Sequence, residues 1–334
     1  MKNITALAFL VIINCAFIFN NSLFSQEAGK DYYASTAANQ PEKSRYKFSF
    51  SPQTGIIYGQ AFEYVYPIPG QTKAELLSEL KWDMKPVFYL GLQLDFEPAD
   101  IMRSIGFFSS ISFKAGLPKD SGVMEDRDWQ SAGNSSLTNF SSHTNRTNSF
   151  YILDAALGIS LPVKSIICIK PFLSGSWMHF SFTGRDGYYE YKDYNPPKGF
   201  LSGNVINYKQ DWFLVAAGFE IETNVFSSLT INLSFQISPF TYCNALDEHI
   251  RTKDFYNDIT SMGLFFEPKL NLAYNMKRID LMLDVAYRRI GRTSGKSYKK
   301  ENKNYEVIDN KAGAGLSLLD ARFLVKINLF GNSR

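Results

Sequence analysis

Apolar and polar residues alternate along most of the chain after residue 45. The clearest case covers 278–290, where every second position is apolar: Ile279, Leu281, Leu283, Val285 and Tyr287. The same period of two recurs over 230–238 and 319–330. Because successive side chains of a β-strand point to opposite faces, this period predicts strands with one apolar and one mixed polar face.

The lengths of the connections decide what kind of β-protein this is. Ten strands are predicted, at 46–66, 74–96, 105–117, 148–161, 166–184, 204–222, 229–242, 256–273, 279–290 and 312–330. Every second connection is short, at 97–104, 162–165, 223–228 and 275–278. Most of the others are long and polar, at 118–147, 185–203, 243–255 and 291–311. A soluble sandwich would also alternate, but this asymmetry is typical of outer-membrane barrels.

The sequence therefore predicts an all-β fold, a ten-stranded antiparallel transmembrane β-barrel over 46–330 with long extracellular loops and a tail at 331–334. Aromatic residues make up 15% of the chain, and girdles of Tyr and Phe at the membrane interfaces account for them. Phe330 places an aromatic residue at the end of the last strand. A barrel of about ten strands is filled largely by its own side chains, which argues against a wide solute pore.

The first 25 residues are predicted to be a secretory signal peptide. Lys2 precedes an apolar run over 4–19, and a polar exit follows. Cleavage is expected after Ser25, which leaves a polar N-terminal extension at 26–45. A lipoprotein attached through Cys15 is the less favoured alternative, because Asn14 stands where a small residue is expected.

Charge and cysteine content argue against a polyanion-binding protein and against a disulfide-bonded one. The formal net charge is +3 and falls to +2 once Lys2 leaves with the signal peptide, so neither nucleic acid nor another polyanion is predicted as a partner. Cys168 and Cys243 fall at opposite ends of the predicted barrel, too far apart to form a disulfide. They are expected to be unpaired thiols.

Two short polar motifs carry the candidate chemistry. Asp126 and Asp128 are separated by one residue, as are Asp247 and His249, so each pair shares one face of an extended strand. The second and fourth outward loops carry these pairs, and Glu63 lies near the outward end of the first strand. All five thus converge on the extracellular rim, where a carboxylate-held imidazole opposite two carboxylates could activate water. Solvated loops, or a cation held by Asp126 and Asp128, are the alternatives.

At these residues the chain resembles the omptins, a family of outer-membrane endopeptidases with a ten-stranded barrel. The similarity runs from about residue 55 to 330, and the segments that carry it are 59–66, 124–129, 179–183, 207–210 and 247–249. The family's Asp-x-Asp-Trp stretch matches Asp126 to Trp129, and its Asp-Glu-His dyad matches Asp247 to His249. The resemblance implies that both pairs are catalytic, that Glu63 lies in the pocket for the residue before the cleaved bond, and that no cofactor or metal takes part.

The chain departs from the family at other positions. One family acid is Asn139 here, and a second pocket acid, two residues before the dyad aspartate, is Ala245. Family arginines that contact lipopolysaccharide phosphate fall on His179 and Asp211. The resemblance therefore implies a weakened preference for Arg or Lys before the cleaved bond and a weak dependence on lipopolysaccharide.

Taken together, the sequence predicts an aspartic-type endopeptidase in the outer membrane, with its active site facing the cell exterior. Its expected partners are outer-membrane lipid and an extracellular polypeptide substrate, and a monomer is favoured. The competing hypotheses are a catalytically silent barrel that serves as an adhesin or receptor, and a small channel. The loss of acids at Asn139 and Ala245 favours the first of these, whereas the four intact catalytic positions argue against it.

Overall fold

The computed structural model describes residues 46–98, 105–164, 166–276, 278–301 and 304–330. The predicted signal peptide, the N-terminal extension at 26–45 and the tail at 331–334 lie outside the described residues. Within the described ranges, no helix is long and apolar enough to cross a membrane.

Within the same ranges the chain forms fourteen β-segments. They are β1 (Tyr46–Val65), β2 (Ser78–Pro98), β3 (Gly106–Gly116), β4 (Lys119–Asp128), β5 (Asn139–Lys164), β6 (Ile167–Tyr191), β7 (Lys198–Phe226), β8 (Leu229–Ser238), β9 (Thr241–His249), β10 (Asp254–Ser261), β11 (Phe265–Asn275), β12 (Ile279–Ile290), β13 (Ser294–Glu301) and β14 (Asn304–Phe330).

These segments make ten antiparallel strands in a closed ring. Four strands consist of two consecutive segments each: β3 with β4, β8 with β9, β11 with β10, and β12 with β13. The two halves of each broken strand pair with the same neighbours; β3 and β4, for example, both lie between β2 and β5. Pairing of β1 with β14 closes the ring. The predicted ten-stranded antiparallel transmembrane barrel is therefore confirmed.

The breaks within these strands have local causes. Pro118 separates β3 from β4, and Pro239 separates β8 from β9; proline has no N–H to donate to a neighbouring strand. Between β10 and β11, Met262 has a φ of 66° and is followed by Gly263. Each break interrupts the strand, but the segments on both sides of it pair with the same neighbouring strands.

A belt of exposed apolar side chains surrounds the barrel. It includes Tyr58, Phe88, Leu90, Ile111, Leu157, Leu173, Val215, Phe219, Leu233, Phe240, Leu283 and Phe323. Water disfavours so much apolar surface, whereas the hydrocarbon of a membrane solvates it well. The belt ends on one side near Tyr58 of β1 and Phe240, which joins β8 to β9. We call the strand ends beyond this edge the rim.

The interior of the barrel at the height of the belt is filled by charged side chains that pair with one another. Arg322 contacts Asp284 at 2.6 Å, and Lys114 contacts Asp320 at 2.5 Å. Buried charges are costly unless paired. The Arg322 pair links the neighbouring strands β12 and β14, whereas the Lys114 pair joins β3 to β14, which are not neighbours. The filled interior agrees with the narrow barrel that the strand number predicts.

An aromatic layer lies between this charged interior and the rim. Trp82 stacks on Phe182 with ring centroids 5.6 Å apart and on Tyr208 at 5.4 Å. All three side chains are fully buried. Gln210 donates a hydrogen bond of 2.8 Å to the carbonyl oxygen of Phe62 and so ties β7 to β1 across the lumen. These buried, stacked side chains pack directly beneath the rim.

The strands extend further at the rim than the sequence pattern indicates. Residues predicted as long loops are mostly strand, and the connections at 118–147, 185–203 and 243–255 are reduced to 129–138, 192–197 and 250–253. Asp126 and Asp128 therefore lie on β4, and Asp247 and His249 lie on β9, rather than in loops. Beyond the membrane a strand keeps its antiparallel hydrogen bonds but needs no apolar outer face, so polar residues are compatible with it. The first connection, predicted at 67–73, is instead longer, at 66–77.

Candidate active site

Asp247 and His249 form a hydrogen-bonded pair at the end of β9. Their spacing puts both side chains on the lumen face, and His249 Nε2 lies 2.7 Å from Asp247 Oδ2. Asp247 is buried, whereas 38% of the His249 side chain is exposed. An ionised carboxylate can only accept, so Nε2 donates and Nδ1 is left free to accept a proton. The predicted dyad therefore has the geometry of an oriented base.

Asp126 and Asp128 end β4, which pairs with β2 on one side and β5 on the other. Ser78 opposes Asp128 in this pairing, and its hydroxyl donates to Asp126 Oδ1 at 3.3 Å. Asn139 opposes Asp128 from β5 and donates to its Oδ2, also at 3.3 Å. Neighbouring strands thus hold both carboxylates toward the lumen.

The charges of the two pairs act on each other. Burial, reinforced by the Asp128 carboxylate, raises the pKa of Asp126 to about 8. Burial also raises the pKa of Asp128, against the effect of its hydrogen bonds. For His249, burial favours the neutral ring, but the Asp247 carboxylate outweighs it and raises the pKa to about 9, with a contribution from Asp126. Groups coupled in this way titrate as one cluster.

Glu63 lies on β1 and belongs to the same cluster. Its side chain is buried, and its Oε2 atom has no hydrogen-bond partner. Burial raises the pKa of Glu63 well above its usual value, and the carboxylates of Asp247, Asp258 and Asp126 raise it further. The structure therefore brings all five residues that the sequence singles out into one electrostatically interacting cluster at the rim.

Two polar residues beside this cluster are not apparent from the sequence. Ser78 belongs to no recognised motif, and its place beside Asp126 depends on the register between β2 and β4. Asp258 on β10 is buried and lies close enough to Glu63 to shift its pKa. Only the cross-strand pairing reveals either residue.

The other histidines have structural partners. His143 is buried, and its ring nitrogens contact Ser141 Oγ at 3.0 Å and the Asp186 carbonyl oxygen at 3.1 Å. His179 contacts Asp211 Oδ1 at 2.9 Å across the β6–β7 pair. The two residues that the resemblance assigns to the family's lipopolysaccharide positions thus bond to each other.

Neither a group of three or more metal-ligating side chains nor a disulfide is found in the described part of the chain. No group of three or more His, Cys, Asp or Glu side chains comes together there in a metal-binding arrangement. Cys168 and Cys243 are both free, as predicted, and Cys243 is buried.

The closed ten-stranded barrel with its apolar belt and acidic rim defines the class of protein, an outer-membrane β-barrel. The chain belongs to the omptin family, whose match covers residues 44–322. No curated protein sequence matches the chain.

The fold is that of a solved outer-membrane protease. The barrel is similar to the outer membrane protease OmpT from Escherichia coli, with a TM-score of 0.76 and 18% identity over 88% of this chain and 99% of OmpT. The toluene transporter TodX of P. putida matches with a TM-score of 0.34 and 10% identity, over 88% of this chain and 92% of TodX. The translocator domain of NalP from Neisseria meningitidis also has a TM-score of 0.34, at 10% identity over 95% of this chain and 97% of that domain.

Proposed function

We propose that the chain is an aspartic-type endopeptidase of the outer membrane that hydrolyses peptide bonds of extracellular polypeptides after basic residues. The observation that carries the proposal is the 2.7 Å hydrogen bond between His249 and a buried Asp247, facing the coupled carboxylates of Asp126 and Asp128. Membership of the omptin family and the fold shared with OmpT support it.

In the proposed reaction, a water molecule lies between His249 and the carboxylates of Asp126 and Asp128. His249 Nδ1 takes a proton from this water as its oxygen attacks the scissile carbonyl carbon. Asp247 holds the ring in the correct tautomer and stabilises the imidazolium that forms. The resulting tetrahedral intermediate collapses with cleavage of the C–N bond, and the imidazolium returns the proton to the departing amine.

The raised pKa of Asp126 gives it a distinct role. A carboxyl group with a pKa of about 8 exchanges its proton near neutral pH, so Asp126 can hold the water by a hydrogen bond and take part in proton transfer. Asp128, which accepts from Asn139, is the better acceptor for the attacking water. Asn139 stands where the family has an acid, and it avoids a third negative charge beside the pair.

A catalytically silent barrel that acts as an adhesin or receptor is the second candidate. This candidate is less favoured, because an adhesin or receptor would not require the hydrogen bond between His249 and Asp247 or the two carboxylates opposite them. The decisive experiment incubates detergent-refolded protein with a peptide that contains one arginine and identifies the products by mass spectrometry. We expect a single cut after the arginine. An intact peptide, with protein that shows the heat-modifiable mobility of a folded barrel, would favour the silent alternative.

The pH dependence of cleavage follows from the pKa of His249. Only the neutral ring can accept a proton, and Asp247 raises the pKa of this ring to about 9. We therefore expect kcat/KM to be still rising at neutral pH and to level off near pH 9. Asp247→Asn removes the raising charge, so its residual activity should level off at a lower pH. A profile of the wild type that is flat from neutral to alkaline pH would contradict a His249 base.

Lipopolysaccharide is expected to stimulate the protein little or not at all. Arginines bind phosphate through paired, charge-assisted hydrogen bonds. Here His179 and Asp211 occupy the corresponding positions and bond to each other at 2.9 Å, and the Asp211 carboxylate would repel phosphate. The measurement is the cleavage rate in detergent with and without added lipopolysaccharide.

A double variant gives this experiment a positive control. His179→Arg with Asp211→Arg restores the phosphate ligands, so its activity should become dependent on lipopolysaccharide. Strong stimulation of the wild type would contradict the prediction. Lys209→Ala would then show whether the neighbouring lysine has taken over.

A further inference from the structure

Ala245 and Asp258 lie directly opposite each other in the antiparallel pair of β9 and β10. Both are inward-facing and buried, with exposed fractions of 2% and 5%. Side chains directly opposite in such a pair share one face, with Cβ atoms about 5 Å apart. A carboxylate on residue 258 therefore reaches the space that a longer side chain on residue 245 would occupy.

The carboxylates around this space are buried and incompletely paired. Asp258 Oδ1, Glu63 Oε2 and Asp247 Oδ1 each lack a hydrogen-bond partner, and none of the three residues is more than 5% exposed. Ser297 donates a hydrogen bond to the Asp258 carboxyl group, and the Lys311 charge acts on it from β14. Buried acceptors without partners are costly, so this arrangement calls for a donor from outside the chain.

Small residues occupy the strand positions between Glu63 and Asp258. Two strands separate these carboxylates around the ring, β14 and β13. Ala314 of β14 pairs with Glu63, and Ala312 pairs with Gly295 of β13. The paired positions Ala314, Ala312 and Gly295 therefore add no bulk between the two carboxylates, and the buried Tyr208 side chain lies near both of them.

We propose that Asp258 is the second carboxylate of the pocket that receives the basic side chain before the scissile bond, in place of an acid at residue 245. The inference rests on the proposed function and specifies its pocket. A guanidinium presents a planar fork of donors, which suits two carboxylates approaching from β1 and β10. The acid missing from β9 is thus supplied by the adjacent strand, and the preference for a basic residue is strong rather than weakened.

The test compares peptides that differ only in having arginine, its neutral isostere citrulline, or leucine before the scissile bond. The measured quantity is the ratio of kcat/KM for arginine to that for citrulline. Asp258→Asn should lower this ratio about ten- to a hundredfold, the usual effect of losing one charge-assisted hydrogen bond, while citrulline and leucine peptides are still cleaved. Asp120→Asn is the matched control, because it removes a half-exposed rim carboxylate that pairs with Arg185, and should leave the ratio unchanged.

A relocation variant tests the geometry itself. Ala245→Asp combined with Asp258→Ala moves the acid across the strand pair, and it should restore the arginine preference that Asp258→Asn loses. If Asp258→Asn does not fold, this variant still shows whether a carboxylate in this space sets the arginine preference. An unchanged ratio in Asp258→Asn, an equal loss on all three peptides, or a relocation variant without preference would overturn the assignment of Asp258. Wild-type protein that cleaves none of the peptides would instead refute the proposed function.

Discussion

Replacement of His249 by alanine is expected to lower kcat/KM for an arginine peptide by about a hundredfold or more. Loss of a general base costs about 10²- to 10⁴-fold, because the attacking water must then lose its proton without a positioned acceptor. Asp247→Ala should cost a similar amount, since Asp247 acts through the ring that it holds at 2.7 Å. The measurement is steady-state cleavage by protein refolded in the same detergent.

The double variant distinguishes a functional unit from two independent contributions. Residues that act as a unit lose little more when both are replaced than when one is. His249→Ala with Asp247→Ala should therefore be about as slow as either single variant. Losses that multiply, or retained activity in His249→Ala, would argue against the dyad.

Replacement of Asp126 by asparagine is expected to have the next largest effect, also about a hundredfold or more, since Asp126 helps hold the water and takes part in proton transfer. Asparagine keeps the shape and the contact with Ser78 but loses the titrating group, whose pKa is about 8. Loss of this charge should also lower the pKa of His249, because Asp126 helps to raise it. The alkaline plateau of the pH profile should therefore begin at a lower pH.

The matched control for this variant is Glu125→Gln, one residue earlier on β4. Glu125 forms ion pairs with Lys81 at 2.6 Å and Arg127 at 2.7 Å. Its replacement removes a negative charge from the same strand but leaves Asp126 and Asp128 unchanged. Activity should be nearly unchanged in Glu125→Gln, and equal losses in the two variants would point to a general effect of charge at the rim.

Period-two alternation predicts the barrel well where a membrane surrounds it. There one face of each strand must be apolar, so strands such as 279–290 are visible in the sequence. At the rim this requirement ends, and polar strand residues look like loop. The alternation therefore does not reveal that the strands continue through Asp126 and Asp247, although the spacing within each pair indicates an extended strand.

The candidate site is predictable only to the extent that it lies in local motifs. The five residues from Glu63 to His249 stand in short segments that resemble the family. Asp258 does not, because its position opposite Ala245 depends on the register of the β9–β10 hairpin. The turn at 250–253, in which Lys253 adopts a φ of 61°, connects the two strands, and turn geometry and length set hairpin register.

The most direct test of an outward-facing peptidase uses intact cells that carry either the wild-type protein or His249→Ala at equal surface levels. A fluorogenic peptide with one arginine is attached to a polymer too large to cross the outer membrane. We predict cleavage after the arginine by cells with the wild-type protein, and cleavage about a hundredfold slower or more with His249→Ala. Equal cleavage by the two cell types, or cleavage only after lysis, would contradict an exterior active site built on His249.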